Sequence, residues 1–349
     1  MSHTDNEENT PNQEDTNHFD QLPDWQDEAV TLDLGGGERL LPLRVRPKRQ
    51  NVDLIEWAGI NREALRELLL KYGAMLFRGF SLNSAGQFEE FIRTMTGELL
   101  PYMQRSSPRH RVSGNIYTST DYPPEQSIFL HNENSYQRSW PLKIFFYCHV
   151  PAQQGGETPL AHTGRVLELI RPEIREKFER KKILYVRNFG NGLGLPWQTV
   201  FQTEDKSEVE RYCREAAIEY EWKGNNHLRT RHIKDAVATH PLTGQAVWFN
   251  HATFFHPTTL APEILENLSL VTDEEDFPYN TFYGDGTVIE AEVLAHLRAV
   301  YEQETLSFPW QASDVLMLDN MLVAHGRAPF VGPRKIMVGM SELYSVPTG

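Results

Sequence analysis

Residues 314–344 read DVLMLDNMLVAHGRAPFVGPRKIMVGMSELY. Two short apolar runs meet at Asp319-Asn320, and a third begins at Arg334 after Gly and Pro punctuation. Runs this short, bounded by turn residues, predict strands rather than helices. Successive strand side chains point to opposite faces. Met321, Val323 and His325 therefore share a face, which sets an imidazole at the end of an apolar stripe. On the third run Arg334 shares a face with Ile336, Val338 and Met340. A guanidinium turned toward apolar neighbours needs an anion, and its two-pronged fork suits a dicarboxylic acid. Arg327, near the end of the His325 strand, is the rival for that role or for contact with a substrate.

A partner for His325 is found at residues 129–150, FLHNENSYQRSWPLKIFFYCHV. A histidine two residues before an acid is weak by itself. About two such pairs are expected by chance for 13 His and 48 acidic residues in 349 positions, and three occur: His3/Asp5, His18/Asp20 and His131/Glu133. Only the last lies in an apolar setting. A strand through SIFLHNE would set His131 and Glu133 side by side, with Asn132 and Asn134 facing away. Two His and one carboxylate suit Fe(II) and leave three coordination positions open. The blander readings are a polar turn for HNE and a buried, backbone-bonded imidazole for His325.

Working outward, residues 1–22 carry six acidic residues and almost nothing apolar, the signature of a disordered acidic tail. From 23 to 349 the pattern reads as one domain. AVTLDLGGGERLLPLRV suggests two strands around a Gly turn. Helices are expected over NREALRELLLKY, ending at Gly73, and over SAGQFEEFIRTMTG. Others are expected at 164–182, where Pro172 restarts a turn, at 206–222 and at 291–304. Helical insertions at about 164–235 and 290–305 thus interrupt a β-rich chain. RNFGNGLGLPW has glycines but no phosphate-loop lysine, so it reads as a loop that covers a site or simply connects elements. His251 and His256 in FNHATFFHP are five apart and do not share a strand face. Trp248, Asn250 and His251 either line a substrate pocket or fill the core. Ser135, Tyr136 and Arg138 are further substrate candidates because they follow the HNE stretch.

Composition narrows the function. The net charge of −14 argues against nucleic acid or an anionic membrane as partner. The short run Arg44, Arg46, Lys48, Arg49 reads as a solvated face. No apolar stretch nears the roughly 18 residues of a membrane span. Two cysteines, Cys148 and Cys213, exclude a disulfide framework, and the basic-poor N-terminus argues against a secretory signal. A reduced, cytoplasmic setting is expected.

His131-x-Glu133, GGETPLAH and LDNMLVAHGRAPFVGPRKI, in that order, resemble the Fe(II)/2-oxoglutarate oxygenases of the taurine dioxygenase and clavaminate synthase-like group. HNENSY, FFYCHVPAQQGGETPLA and HPLTGQAVWFN are most similar to its subgroup resembling the syringomycin-pathway aspartyl hydroxylase. The resemblance covers about residues 70–345. It implies a β-rich α+β fold with a double-stranded β-helix (jelly roll) core. It makes His131, Glu133 and His325 the iron ligands, and assigns Arg334 and Thr158 to 2-oxoglutarate. Oxidative decarboxylation of 2-oxoglutarate with O2 would drive hydroxylation of an aliphatic carbon. Relatives that halogenate carry a small residue where Glu133 stands, so hydroxylation is expected here. The subgroup implies an amino-acid substrate, free or tethered to a carrier protein, in secondary metabolism. A cupin-like metal-holding sensor without turnover and a peptide demethylase sharing the triad are the alternatives.

Overall fold

The computed structural model describes residues 27–34, 41–101, 110–119, 122–190 and 192–346. The expected tail at 1–22 lies outside them, as does the Gly turn at 35–37. Among the described residues no helix is long and apolar enough to cross a membrane.

The apolar runs KIFFYC and VLML form the middle of an eight-stranded sheet. Its order is Val30–Asp33, Leu43–Pro47, Ala74–Phe77, Val315–Asp319, Ser139–Val150, Lys335–Ser345, Ile116–Thr118, Arg111–Ser113. All neighbours are antiparallel except Leu43–Pro47 with Ala74–Phe77. Continuous apolarity follows from burial on both faces. Met75, Phe77, Phe145, Tyr147, Val315 and Met317 point into one core with the helices Leu54–Ile60, Arg62–Tyr72 and Ala85–Thr96. Leu76, Ile144, Phe146, Leu316, Leu318, Ile336, Val338 and Met340 alternate with them into a second core. That core is shared with Leu160 and Val323 of a three-stranded sheet, ordered Ile128–His131, Val323–Arg327, Leu160–His162.

Helix ends fall where their signals stand. Asp53 accepts from the amides of Ile55 and Glu56. Gly73 closes Arg62–Tyr72 in a left-handed conformation with φ 72°. Pro172 opens Pro172–Lys181, and Ala291–Glu304 has the expected bounds.

Two expectations fail. The helix read over 206–222 stops at Glu215, and Glu219–Lys223 is a strand. The alternation of Ile218, Tyr220 and Trp222 outweighs helical continuation: these side chains pack beside Val209, Cys213 and Leu228. The insertion at 164–235 is also not simply helical. Ile183–Phe189, Glu219–Lys223 and His227–Lys234 join Tyr279–Tyr283 in a separate four-stranded sheet. In the basic run, Arg44 and Arg46 pair with Asp33 and Lys48 donates to the Asp27 carbonyl. Cys148 and Cys213 are free and buried.

A buried charge cluster fixes the turn between Val315–Asp319 and Val323–Arg327. Lys143 Nζ donates to Asp319 Oδ2 at 2.6 Å and His240 Nε2 donates to the same oxygen at 3.2 Å. The amides of Met321 and Leu322 donate to Asp319 Oδ1. Burial pushes the Asp319 pKa up, but Lys143 and His240 outweigh it and hold the carboxyl at about 2. Because that value lies below the ~3.9 of an unfolded Asp, the stabilisation is present above ~3.9 and is lost as pH falls through about 2. Lys143→Met should destabilise the fold by about 3 kcal/mol, since a buried carboxylate loses its main counter-ion. A denaturant midpoint unchanged from wild type would contradict this.

Candidate metal centre

The three-stranded sheet brings the two distant histidines together. In the ladder between Ile128–His131 and Val323–Arg327, His325 stands directly opposite His131. Directly paired residues project from the same face, and the two rings lie 4.7 Å apart between centroids. That face is the one carrying Val323 into the second core, and His325 lies 5.1 Å from the Phe146 ring of that core. The shared face expected for Met321, Val323 and His325 is therefore present for Val323 and His325, while Met321 lies in the turn before the strand and packs in the same core as Leu322. Gly326 follows at a register shift. A Cβ there would stand 2.6 Å from the Ile128 carbonyl oxygen, so the strand can pass this close only with glycine.

Glu133 arrives differently from the expectation. The strand ends at His131 and residues 133–136 form turns, so Glu133 is not held by strand alternation. Asn320 holds it instead. The Glu133 amide donates to Asn320 Oδ1 at 2.8 Å, and Asn320 Nδ2 donates to the carbonyls of Glu133 and Pro141 at 2.9 Å each. Asn132 Nδ2 donates to the Asn320 carbonyl. The outcome is a buried Glu133 at 3% exposure whose carboxylate joins His131 and His325, one ligand atom of each lying within 4.8 Å of the others.

The surroundings prepare these donors. His131 Nδ1 lies 2.9 Å from the Phe129 carbonyl oxygen, which can only accept, so Nδ1 carries the proton and Nε2 is left to bind a metal. Phe254 stacks on His131 at 4.4 Å with planes 10° apart. His251 Nε2 donates to the Asn132 carbonyl, and its ring lies 5.9 Å from that of His131. Burial, with the neighbouring His131 and Arg187, holds the His251 pKa well below its usual value, so it stays neutral. Two imidazoles and a carboxylate on one buried face fit Fe(II) and leave coordination positions for further ligands.

The arginine question also takes shape. Arg327 is spent on the chain: Nη1 donates to the Tyr122 carbonyl, and Nη2 to those of Pro123 and Gln126. Half-buried Arg334, just before the strand Lys335–Ser345, has Nε bonded to the Gly156 carbonyl and Nη1 to Ser119 Oγ. Burial, with the Arg327 charge adding to it, lowers the Arg334 pKa to about 10, so the guanidinium is still charged at neutral pH. A Cβ on Gly156 would stand 3.0 Å from Arg334 Cδ and Nε, which accounts for the second glycine of GGET. Thr158 is buried, and its hydroxyl accepts from Trp310 Nε1 at 3.1 Å, leaving its own proton to donate.

The remaining candidates separate. Tyr136 lies 5.0 Å from His251, ring to ring, and Ser135 is buried beside it in sequence. Arg138 points elsewhere, donating to the Glu215 carbonyl. Trp248 packs edge-on against Phe178. Asn250 bonds to the Ala236 carbonyl and the Ala252 amide. Phe254 and Asn320 were missed by the sequence reading, although Phe254 lies inside FNHATFFHP. Asn320 acts through hydrogen bonds to residues nearly two hundred positions away, and no local pattern announces that.

The family described as taurine catabolism dioxygenase TauD, TfdA family matches residues 39–341. The chain belongs to this family. The protein is an Fe(II)/2-oxoglutarate-dependent dioxygenase, with O2 as the other cosubstrate. It is 44% identical over 276 residues to the dapdiamide synthesis protein DdaC of Enterobacter agglomerans, covering 79% of this chain and 84% of that one. A clavaminate synthase-like protein of Arabidopsis thaliana is 31% identical over 289 residues, covering 80% and 84%. Among solved structures, PvcB of Pseudomonas aeruginosa superposes with a TM-score of 0.56 at 15% identity over 92% of this chain and 94% of that one. The TauD-type fold is thus β-rich with mixed α and β elements, and membership as a dioxygenase removes the basis for the sensor reading.

Proposed function

We propose that this dioxygenase hydroxylates an aliphatic C–H of an amino acid, free or tethered to a carrier protein, in secondary-metabolite biosynthesis. The observation that carries the reading is the register of His325 against His131 with Glu133 held beside them. Similarity to a dapdiamide synthesis protein favours the biosynthetic setting. On this reading residues 23–349 are one domain, and the eight-stranded and three-stranded sheets are the two walls of a double-stranded β-helix around the second core.

His131 Nε2, the Glu133 carboxylate and His325 hold the iron. Bound there, the iron supplies the chemistry by which 2-oxoglutarate and O2 become succinate and carbon dioxide while one oxygen atom enters the C–H bond. Arg334 takes the distal carboxylate of 2-oxoglutarate, with the Thr158 hydroxyl donating to the same cosubstrate. Arg334 is preferred to Arg327 because three backbone carbonyls already occupy the latter. Glu133 fills the position a halide would need, which favours hydroxylation.

Anaerobic titration with Fe(II) and 2-oxoglutarate should give the weak visible charge-transfer band of the chelate. An amino-acid panel under O2, scored for succinate, then reports the substrate; a protein that forms no band contradicts the iron assignment. Arg334→Gln should raise the KM for 2-oxoglutarate about 30-fold or more, the scale of losing one partner of a buried charge pair, with little change in Fe(II) affinity. An unchanged KM would return the role to another residue.

A further inference from the structure

The strand Ile183–Phe189 carries a cation that no acid among the described residues answers. Arg187 shares its face with Tyr185 and Phe189 and is 8% exposed. Its guanidinium sits among three rings: Phe189 at 4.8 Å, Tyr136 at 5.0 Å and Tyr279 at 5.4 Å. Nε and Nη2 are buried and have no hydrogen-bond partner among the described residues. These two atoms form the side-on edge by which an arginine grips a carboxylate with two parallel bonds.

The contrast with Arg229, on the paired strand His227–Lys234, is informative. Its guanidinium reaches Asn188, Glu275 and Asp276, so acids are available to this sheet, whereas Arg187 has none among the described residues. Aromatic faces offset part of the cost of burying a cation, yet they leave the N–H edge unsatisfied. The position matters as well. Tyr136 touches Arg187 on one side and His251 on the other, His251 neighbours His131, and the Arg187 charge is felt at His251. An unpaired buried cation beside a reactive centre is a binding-site signature.

We propose that Arg187 grips a carboxylate of the substrate through Nε and Nη2, so that the substrate is an acid whose carboxylate is held away from the carbon that reacts. This rests on the oxygenase reading above and sharpens its substrate class. Tyr136 lies on the turn that follows Glu133. The carboxylate is either the α-carboxylate of a free amino acid or a side-chain carboxylate. A carrier-tethered aminoacyl group has its α-carboxyl consumed in the thioester, so only a side-chain acid would serve there.

The test uses the full chain loaded with Mn(II) and 2-oxoglutarate, without turnover. Thermal shifts are recorded with the twenty L-amino acids, short mono- and dicarboxylic acids and the corresponding amides. At least one carboxylate should raise Tm, and its amide should not. Aspartic α-amide binding where asparagine fails identifies a side-chain carboxylate; the reverse identifies the α-carboxylate. Arg187→Gln should weaken the binding about 30-fold or more while its own Tm, with metal and 2-oxoglutarate alone, stays at or above wild type. A purely structural arginine would instead lower that Tm. The proposal is overturned if the amide binds as well as the acid, if Arg187→Gln keeps the shift, or if no carboxylate produces one in wild type. The amide comparison needs no variant, so it decides even if Arg187→Gln does not fold. Failure of the oxygenase reading looks different: Mn(II) and 2-oxoglutarate would themselves give no shift.

Discussion

Glu133→Ala should abolish 2-oxoglutarate-dependent succinate formation and weaken Fe(II) binding by more than about 100-fold, beyond the ~10–100-fold typical of changes outside the ligand set. The fold itself should hardly notice. Asn320 grips the backbone amide and carbonyl of residue 133, which alanine retains. The metal-free Tm should therefore stay within about 2 °C of wild type, since surface and site substitutions without a cavity or an orphaned group usually change stability little. His131→Ala removes a ring that Phe254 stacks upon, so it mixes ligand loss with packing loss. Glu133 is for that reason the cleaner probe. The measurement is anaerobic Fe(II) titration in 2-oxoglutarate followed by the charge-transfer band, with succinate scored under O2. Persistence of both in Glu133→Ala would sink the three-ligand centre.

What the sequence made legible follows the physics of each signal. Strands buried on both faces announce themselves as apolar runs, and KIFFYC and VLML lie in the middle of the large sheet. The alternation that grouped Met321, Val323 and His325 survives for Val323 and His325, which share one strand, and not for Met321, which lies in the turn before it. It failed at Glu133, because the strand stops at His131 and a turn takes over. At 206–222 the helical pattern ran on into Ile218, Tyr220 and Trp222, where period two was the better reading. Cross-strand register, which sets His325 against His131, depends on pairing between segments almost two hundred residues apart and has no local signature. Arg187 was within reach. The logic that singled out Arg334, a guanidinium on an apolar strand face, applies equally to YVRNF, where Tyr185, Arg187 and Phe189 alternate.

Asn320→Ala should damage the metal centre without touching a ligand. Its side chain makes three buried hydrogen bonds: it accepts from the Glu133 amide and donates to the carbonyls of Glu133 and Pro141. Alanine leaves all three groups unsatisfied in a region of 0% exposure at residue 320. Each orphaned buried group costs about 1–3 kcal/mol, and because neighbours share relaxation the sum is not additive; a loss of roughly 3–5 kcal/mol is expected. Asn320→Asp tests the geometry more finely. It keeps an acceptor for the Glu133 amide but turns a second acceptor toward two carbonyl oxygens, so the clamp is repelled where it was held. Both variants should weaken Fe(II) binding about 10–100-fold, as loss of a group that orients a ligand does. The loss should appear in metal affinity before 2-oxoglutarate affinity, since Arg334 and Thr158 stand on other elements. The opposite flank of the turn remains tied, with the Met321 and Leu322 amides on Asp319 and Lys143 and His240 behind it. Collapse of the whole turn is therefore not the expected cause. If Asn320→Ala binds Fe(II) as tightly as wild type while losing stability, the asparagine is a fold element alone, and Glu133 finds the metal without its help.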